Sequence, residues 1–212
     1  MAIPVLIIGK SGTGKSTSLR NFNKEDVGII NVLGKPLPFK NELNVTNTDN
    51  YNKIQMLIHK AQAPSIVIDD AGYLITNYFM KGHTQNKKDI FNFYNNLADE
   101  FWRLIMFVCS EIPNDKIVYF LMHEDSNDFG EIKPKTIGKM LDDKVCVEGM
   151  FTICLRTSRI NGEYKFLTKT NGMDVCKTPY GMFEEETIDN DLKLVDDTIR
   201  NFYGLKKIEE GK

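Results

Sequence analysis

Ile3-Pro4-Val5-Leu6-Ile7-Ile8-Gly9-Lys10-Ser11-Gly12-Thr13-Gly14-Lys15-Ser16-Thr17-Ser18-Leu19 is the stretch that decides the fold of this chain. The apolar run from Ile3 to Ile8 reads as a buried strand. Gly9 to Ser16 follows at once and fits G-x-x-x-x-G-K-[ST] at every fixed position. Gly9, Gly12 and Gly14 open backbone conformations closed to other residues, so successive N–H groups can point inward at a phosphate. A helix starting near Gly14 would add the positive end of its dipole. Gly9 to Thr17, with Lys10, Ser11 and Thr13 among them, are therefore the expected nucleotide-binding residues. Lys15 would reach the β- and γ-phosphates, and the Ser16 hydroxyl would ligate Mg²⁺. The pattern is that of a nucleoside triphosphate site.

The 212 residues suit one α/β domain spanning 1–212, and 42% apolar content suffices for a full core. A formal net charge of −2 gives no general attraction to nucleic acid, so any such contact must come from local patches. Cys109, Cys146, Cys154 and Cys176 are widely spaced, with no C-x-x-C pair. That argues against a disulfide framework or zinc site and for a reducing cytoplasm. The start, Met1-Ala2-Ile3-Pro4, lacks a basic leader, and no apolar run has the length of a membrane span. The expectation is a cytoplasmic protein with no membrane partner.

Strands and helical segments alternate after the phosphate loop. Thr17 to Phe22 allows only a short helix, and Gly28 to Leu33 reads as a second strand, left through Gly34-Lys35-Pro36-Leu37-Pro38. Tyr51 to Gln62 has helical apolar spacing with Asp49 available as cap, and Pro64 stops it. Ser65 to Asp70 is a third strand and Asp89 to Ile112 the longest helix. Lys116 to Met122 is a fourth strand, running into His123-Glu124-Asp125. Met150 to Leu155 and Tyr164 to Thr168 are strands joined through Asn161-Gly162, a hairpin turn signal. A last helix should start near Asp191, bury Leu192, Val195, Ile199 and Phe202, and stop at Gly204. The predicted fold is α/β: a mostly parallel sheet flanked by helices, with right-handed crossovers and a C-terminal antiparallel hairpin.

Ile66-Val67-Ile68-Asp69-Asp70 delivers carboxylates to the sheet edge where the phosphate loop opens, the Walker B arrangement. Asp69 would hold Mg²⁺ through water, and Asp70 would orient or deprotonate the attacking water. His123 ends the fourth strand next to that metal site. There it either senses the γ-phosphate or is satisfied by a loop carbonyl.

Two fragments imitate a GTPase: Asp69-Asp70-Ala71-Gly72 fits D-x-x-G, and Asn23-Lys24-Glu25-Asp26 spells N-K-x-D. The second trails the phosphate loop too closely to reach a base across the pocket. A small nucleotide or metabolite kinase is the other enzyme reading. The only arginines, Arg20, Arg103, Arg156, Arg159 and Arg200, form no acceptor-phosphate clamp before position 150. A nucleotide-gated binding protein with negligible turnover is the reading outside the enzymes.

The order GKSGTGKST, NVLGKPLPF, IVIDD, VYFLMHED, KPKTIGKML and TKTNGMDVCKTPYGMF, from Ile3 to about Phe183, resembles a phage group of RecA-like P-loop ATPases. These are minimal, core-only recombinases implicated in single-strand annealing. The resemblance implies a RecA-like core, ATP and Mg²⁺ as cofactors, single-stranded DNA as partner and head-to-tail homo-oligomers. It also implies phage recombination or repair in a host cytoplasm, beside a single-strand binding protein. Lys15, Ser16, Asp69 and His123 take the phosphate, Mg²⁺, Walker B and sensor roles. The family's catalytic carboxylate sits on another strand, where this chain has Asn31. Asp70 is then the provisional base, and slow, DNA-stimulated hydrolysis is expected.

Lys133, Lys135 and Lys139 form a basic turn. It is either a solvated lysine loop or, through Lys135 and Lys139, a substitute arginine finger reaching a neighbouring subunit's γ-phosphate. By the same resemblance, two loops would face DNA, at 79–88 and 124–135. The first offers Lys81, Lys87 and Lys88 beside Tyr78 and Phe79, the lysine–aromatic mixture that single strands need, unless it is a polar excursion with its aromatics in the core. The second would contribute Lys133 and Lys135.

Overall fold

The computed structural model describes residues 1–86, 89–137 and 145–205. Its strands are β1 Ile3–Gly9, β2 Val27–Asn31, β3 Asn44–Asn47, β4 Ser65–Asp69, β5 Ile117–Ser126, β6 Ile132–Pro134, β7 Ile153–Ile160, β8 Glu163–Leu167 and β9 Thr187–Asp189. Its α-helices are α1 Tyr51–Lys60, α2 Gly72–Gly82, α3 Ile90–Glu111 and α4 Leu192–Tyr203. The nine-stranded sheet runs β3-β2-β4-β5-β1-β7-β8-β9, with β6 paired to β5 off this path. Neighbours from β3 to β7 are parallel, while β7-β8 and β8-β9 are antiparallel. This is the expected α/β class.

Buried parallel strands expose alternate residues to opposite faces, so each needs apolar side chains on both. Leu6, Ile8, Ile68 and Phe120 join the core beneath α1, α2 and α3. Val5, Ile7, Val67 and Tyr119 join a second core with Leu19, Phe22 and the α4 residues Leu192, Val195 and Ile199. The parallel register then lines up strand ends: Gly9 lies opposite His123, and Asn31 opposite Asp69. One sheet edge thus gathers the phosphate loop, the two acids and the histidine. Chain reversals at the ends of open α/β strands are where such folds bind ligands.

Several local expectations change. The phosphate loop leads into a six-residue 3₁₀ turn, Ser16–Asn21, instead of an α-helix. Arg20 donates to the Asn190 carbonyl at 2.5 Å and Asn21 to Asp191 at 2.6 Å. These ties, and the turn that follows at Asn23–Asp26, leave room only for a short, tight i→i+3 segment. Asn50, not Asp49, caps α1, accepting from the Lys53 N–H at 2.9 Å. The α1 helix ends at Lys60, before Pro64 can act. Phe202 is exposed on α4, and the buried positions there also include Asp196 and Arg200. The Asn161-Gly162 hairpin is as expected, both residues having positive φ (52° and 88°).

Each of the two expected DNA loops is regular structure in part. Residues 79–82 form the last turn of α2, because Leu74, Ile75, Tyr78 and Phe79 share a face against the core. Residues 124–126 and 132–134 pair as an antiparallel hairpin around the Asn127–Gly130 turn, where the Asn127 side chain accepts from Phe129 N and Glu131 N. Lys87, Lys88 and Lys139 lie outside the described residues.

Candidate active site

The phosphate loop is held open by its own side chains. A Cβ at Gly9 would lie 1.9 Å from Thr157 Oγ1 on β7, so no other residue fits there. Gly14 takes φ 99°, and a Cβ would meet the Asn190 amide at 2.8 Å. Thr13 Oγ1 donates to the Lys10 carbonyl at 2.7 Å and lies 2.6 Å from Thr157 Oγ1. Lys15 is buried and folds back into the loop, donating to the carbonyls of Gly9 at 2.7 Å and Lys10 at 3.0 Å. Burial pulls its ammonium pKa down, against the opposing pull of Asp70, Asp69 and Glu124. A cation stored this way gains a strong partner when an anion enters the loop.

β4 brings two carboxylates with different environments. Asp69 Oδ1 accepts from the Ser16 hydroxyl at 2.9 Å. Burial pushes its pKa up and the adjacent Asp70 adds to this, while Ser16 opposes it. Asp70 has φ 60°, a left-handed conformation uncommon outside glycine, asparagine and aspartate, and it turns the chain sharply from β4 into α2. Burial pushes its pKa up too, but hydrogen bonds from His123 and Lys35 outweigh that and hold it below the usual carboxylate range. Lys35 Nζ lies 2.7 Å from Asp70 Oδ2, and His123 Nε2 lies 3.5 Å from Oδ1. Tyr73 on α2 meets the His123 ring edge-on at 5.8 Å between centroids.

Lys35 and His123, the partners of Asp70, border a cavity of about 580 Å³ whose walls also include Lys10, Ser11, Tyr73 and Lys135. Glu124 also borders it and is clamped by Arg156 through two hydrogen bonds, Nε at 2.7 Å and NH2 at 2.9 Å. Arg156 further faces Asp174 at 3.8 Å, which ties β5, β7 and the 170–176 loop together behind the cavity.

The structure therefore brings together Lys10, Ser11, Lys15, Ser16, Asp69, Asp70, His123 and Lys135. Lys135 borders the cavity of its own chain, and its N–H donates to the His123 carbonyl at 2.7 Å. Lys133 sits on β6, beside rather than inside the cavity. Lys81 is paired with Asp49, far along α2 from Asp70. Tyr78 stacks on Phe93, and Phe79 on His83, so each ring already has one face engaged. Asn31, in the place of the absent acid, is a loop organiser: it donates to the Lys35 carbonyl at 2.7 Å and accepts from Gly34 N at 2.8 Å. The N-K-x-D fragment precedes β2 and so lies at the opposite end of the parallel sheet from the phosphate loop. Lys35 and the Glu124–Arg156 clamp were not foreseen. The GKP turn after a strand was the only signal for Lys35.

The family model described as an AAA domain, AAA_24, matches residues 1–179. The chain belongs to this AAA-domain family. A comparison with curated proteins found no match. The matched span contains the phosphate loop, both acids, Lys35, His123 and Arg156, and it makes the protein a P-loop ATPase of AAA type.

The residues of this AAA domain suit a nucleotide with Mg²⁺. Among the described residues no group of three or more His, Cys, Asp or Glu could hold a metal by itself. A cation here would take Ser16, and Asp69 through water, with phosphate oxygens completing its shell, as a strongly hydrated Mg²⁺ prefers. It would draw charge off the phosphates. No helix among the described residues is long and apolar enough to cross a membrane.

Proposed function

We propose that this AAA-domain protein binds Mg²⁺–ATP, hydrolyses it slowly, and acts on single-stranded DNA as a minimal RecA-like annealing or recombination ATPase of phage type. The observation that carries the nucleotide half is the Ser16–Asp69 hydrogen bond, with the neighbouring Asp70 facing His123, which borders the cavity. Lys15 would leave the Gly9 and Lys10 carbonyls for the β- and γ-phosphates. Asp70 would accept the proton of the attacking water, and His123 would register the γ-phosphate through its contact with Asp70. Slow turnover follows from Asp70 being engaged by Lys35 and His123 before any substrate arrives.

The DNA half is supported by the motif order from GKSGTGKST to TKTNGMDVCKTPYGMF. With Lys81 paired and Tyr78 and Phe79 stacked on neighbouring rings, the better DNA element is the β5–β6 hairpin. Phe129 at its tip is 82% exposed, and Lys133 and Lys135 follow. Asp125, Asp128 and Glu131 sit on the same hairpin, so base stacking, at about 1–3 kcal/mol per base, would supply more of the affinity than charge. Lys87 and Lys88 remain candidates for phosphate contacts. Head-to-tail oligomers, a single-strand binding protein as companion, a host-cell cytoplasm and one domain over 1–212 complete this reading.

The test is ATP turnover with Mg²⁺, alone and with single-stranded DNA. Stimulation by single strands supports the proposal, and stimulation by a small phosphate acceptor points to a kinase. The occupied state of Asp70 favours one second reading: ATP-dependent DNA retention without turnover would make the protein a nucleotide-gated binder.

A further inference from the structure

Asp70 is placed to be a base, yet each of its oxygens already faces a partner. Lys35 Nζ holds Oδ2 at 2.7 Å, and His123 Nε2 faces Oδ1 at 3.5 Å. The Asp70 side chain is only 7% exposed, whereas that of Lys35 is 59% exposed. The fixed and movable members of the pair are therefore clear. Asp70 is set by the sharp turn between β4 and α2. Lys35 is a flexible stem rooted in a rigid base: Gly34 turns with φ 68°, and the Asn31 side chain bridges Gly34 N and the Lys35 carbonyl. Asn31 lies opposite Asp69 in the β2–β4 register, which fixes this turn beside the acids. The ammonium also lies 6.0 Å from the centre of the Tyr73 ring, and it borders the same cavity as Lys10 and Ser11 at the crest of the phosphate loop.

A terminal phosphate carries more negative charge than one carboxylate and offers several acceptor oxygens, so it competes for an ammonium within reach. Resting on the ATPase reading above, we propose that Lys35 is the mobile cation of this site. It caps Asp70 while no γ-phosphate is present and moves to the γ-phosphate when ATP binds. Two consequences follow from one movement. The transferring phosphoryl group gains a positive charge from a lysine, in a chain that has only five arginines. Asp70 loses its cap and becomes able to accept a proton. Water oxygen then attacks the γ-phosphorus, the bond to the β–γ bridging oxygen breaks, and its electron pair leaves with ADP. The water proton passes to Asp70. ADP, lacking the group that draws Lys35 away, leaves the cap in place.

The test compares wild type, Lys35→Met and Lys35→Arg for steady-state ATPase and for binding of fluorescent ADP and of a slowly hydrolysed ATP analogue. For Lys35→Met, kcat should fall about 10²- to 10³-fold, as when one transition-state donor is removed. ADP affinity should stay within about threefold while the preference for the ATP analogue over ADP shrinks by about tenfold, the size of effect one charge contact can carry. Lys35→Arg should recover part of both. A Lys35→Met variant with wild-type kcat and wild-type preference overturns the proposal. Equal loss of ADP and ATP-analogue binding, with a lowered melting temperature, also overturns it, because that is the mark of a structural loop residue. Should the wild type bind nucleotide without hydrolysing it, the ATPase reading fails by itself. The analogue-over-ADP preference then still decides whether Lys35 senses the γ-phosphate.

Discussion

The Ser16 hydroxyl donates to Asp69 Oδ1 at 2.9 Å, joining the end of the phosphate loop to the end of β4 across the intervening strand β5. The two groups expected to share a cation are thus in contact, and both Asp69 and Asp70 are buried. Asp69→Asn should weaken Mg²⁺-dependent nucleotide binding. Asp70→Asn should leave nucleotide bound and chiefly lower turnover. Titrations of fluorescent nucleotide with and without a chelator check this. Equal affinity losses would put Asp70 in the metal site.

Lys15 is the only side-chain cation buried within the phosphate loop. Lys15→Ala should abolish tight ATP binding or slow hydrolysis by about 10³- to 10⁵-fold, the range known for loss of a cationic finger on a transferring phosphate. The Gly9 and Lys10 carbonyls also lose their donor, so a modest fall in melting temperature should accompany it. Normal turnover in this variant would move the active site elsewhere.

Lys135 borders its own chain's cavity, which argues for action within one subunit. Lys135→Ala should bind ATP and hydrolyse it poorly, and mixing it with Lys15→Ala protein should not restore activity. Recovery of turnover in the mixture would show that Lys135 serves a neighbouring subunit.

On the other core face, Asp196 on α4 collects Ser65 Oγ at 2.5 Å, Tyr119 OH at 2.8 Å and Arg200 Nε at 2.6 Å, all buried. Arg200 also donates to the carbonyls of Pro64 and Asp115. Removing one partner of a buried ion pair leaves the other charged and without its partner. Asp196→Ala should therefore cost about 3–5 kcal/mol in urea unfolding. A loss under about 1 kcal/mol would mean the network is not closed in solution.

The four thiols differ in access: Cys146 is exposed, Cys109 half-buried, and Cys154 and Cys176 buried. Burial pushes the Cys154 thiol up to about 12 and raises Cys176 as well. Only a thiolate alkylates fast. At pH 8, mass spectrometry should find Cys146 labelled first and Cys154 and Cys176 only after unfolding. Early labelling of Cys154 would contradict the packing of β7.

Contiguous patterns were legible without coordinates. The phosphate loop, the apolar strands β1, β2, β4 and β5, the long helix α3, the Asn161-Gly162 turn and the Asp191 and Gly204 caps each lie in one short segment. Their backbone geometry is set by neighbouring residues, so glycine, apolar runs and capping groups announce them. β3 and β9 were not legible: they are short, polar, and strands only because a neighbour offers paired backbone groups. Helix α2 was not read from the residues for a related reason, since Lys81 and Gly82 look like loop residues until Tyr78 and Phe79 are packed on α3.

What the sequence by itself determined is the chemistry of the phosphate loop and the presence of two acids at a strand end, because those roles depend on residues adjacent in the chain. Tertiary structure alone decided which side chains each acid touches. It placed Ser16 on Asp69, and Lys35 and His123 on Asp70, from segments that meet only when the parallel sheet aligns their strand ends. It also turned Asn31 from a missing carboxylate into the support for the Lys35 turn, and it paired Arg156 with Glu124 and Arg200 with Asp196. Charge partners are chosen by distance in the folded chain and by exclusion of water. Spacing along the sequence carries neither.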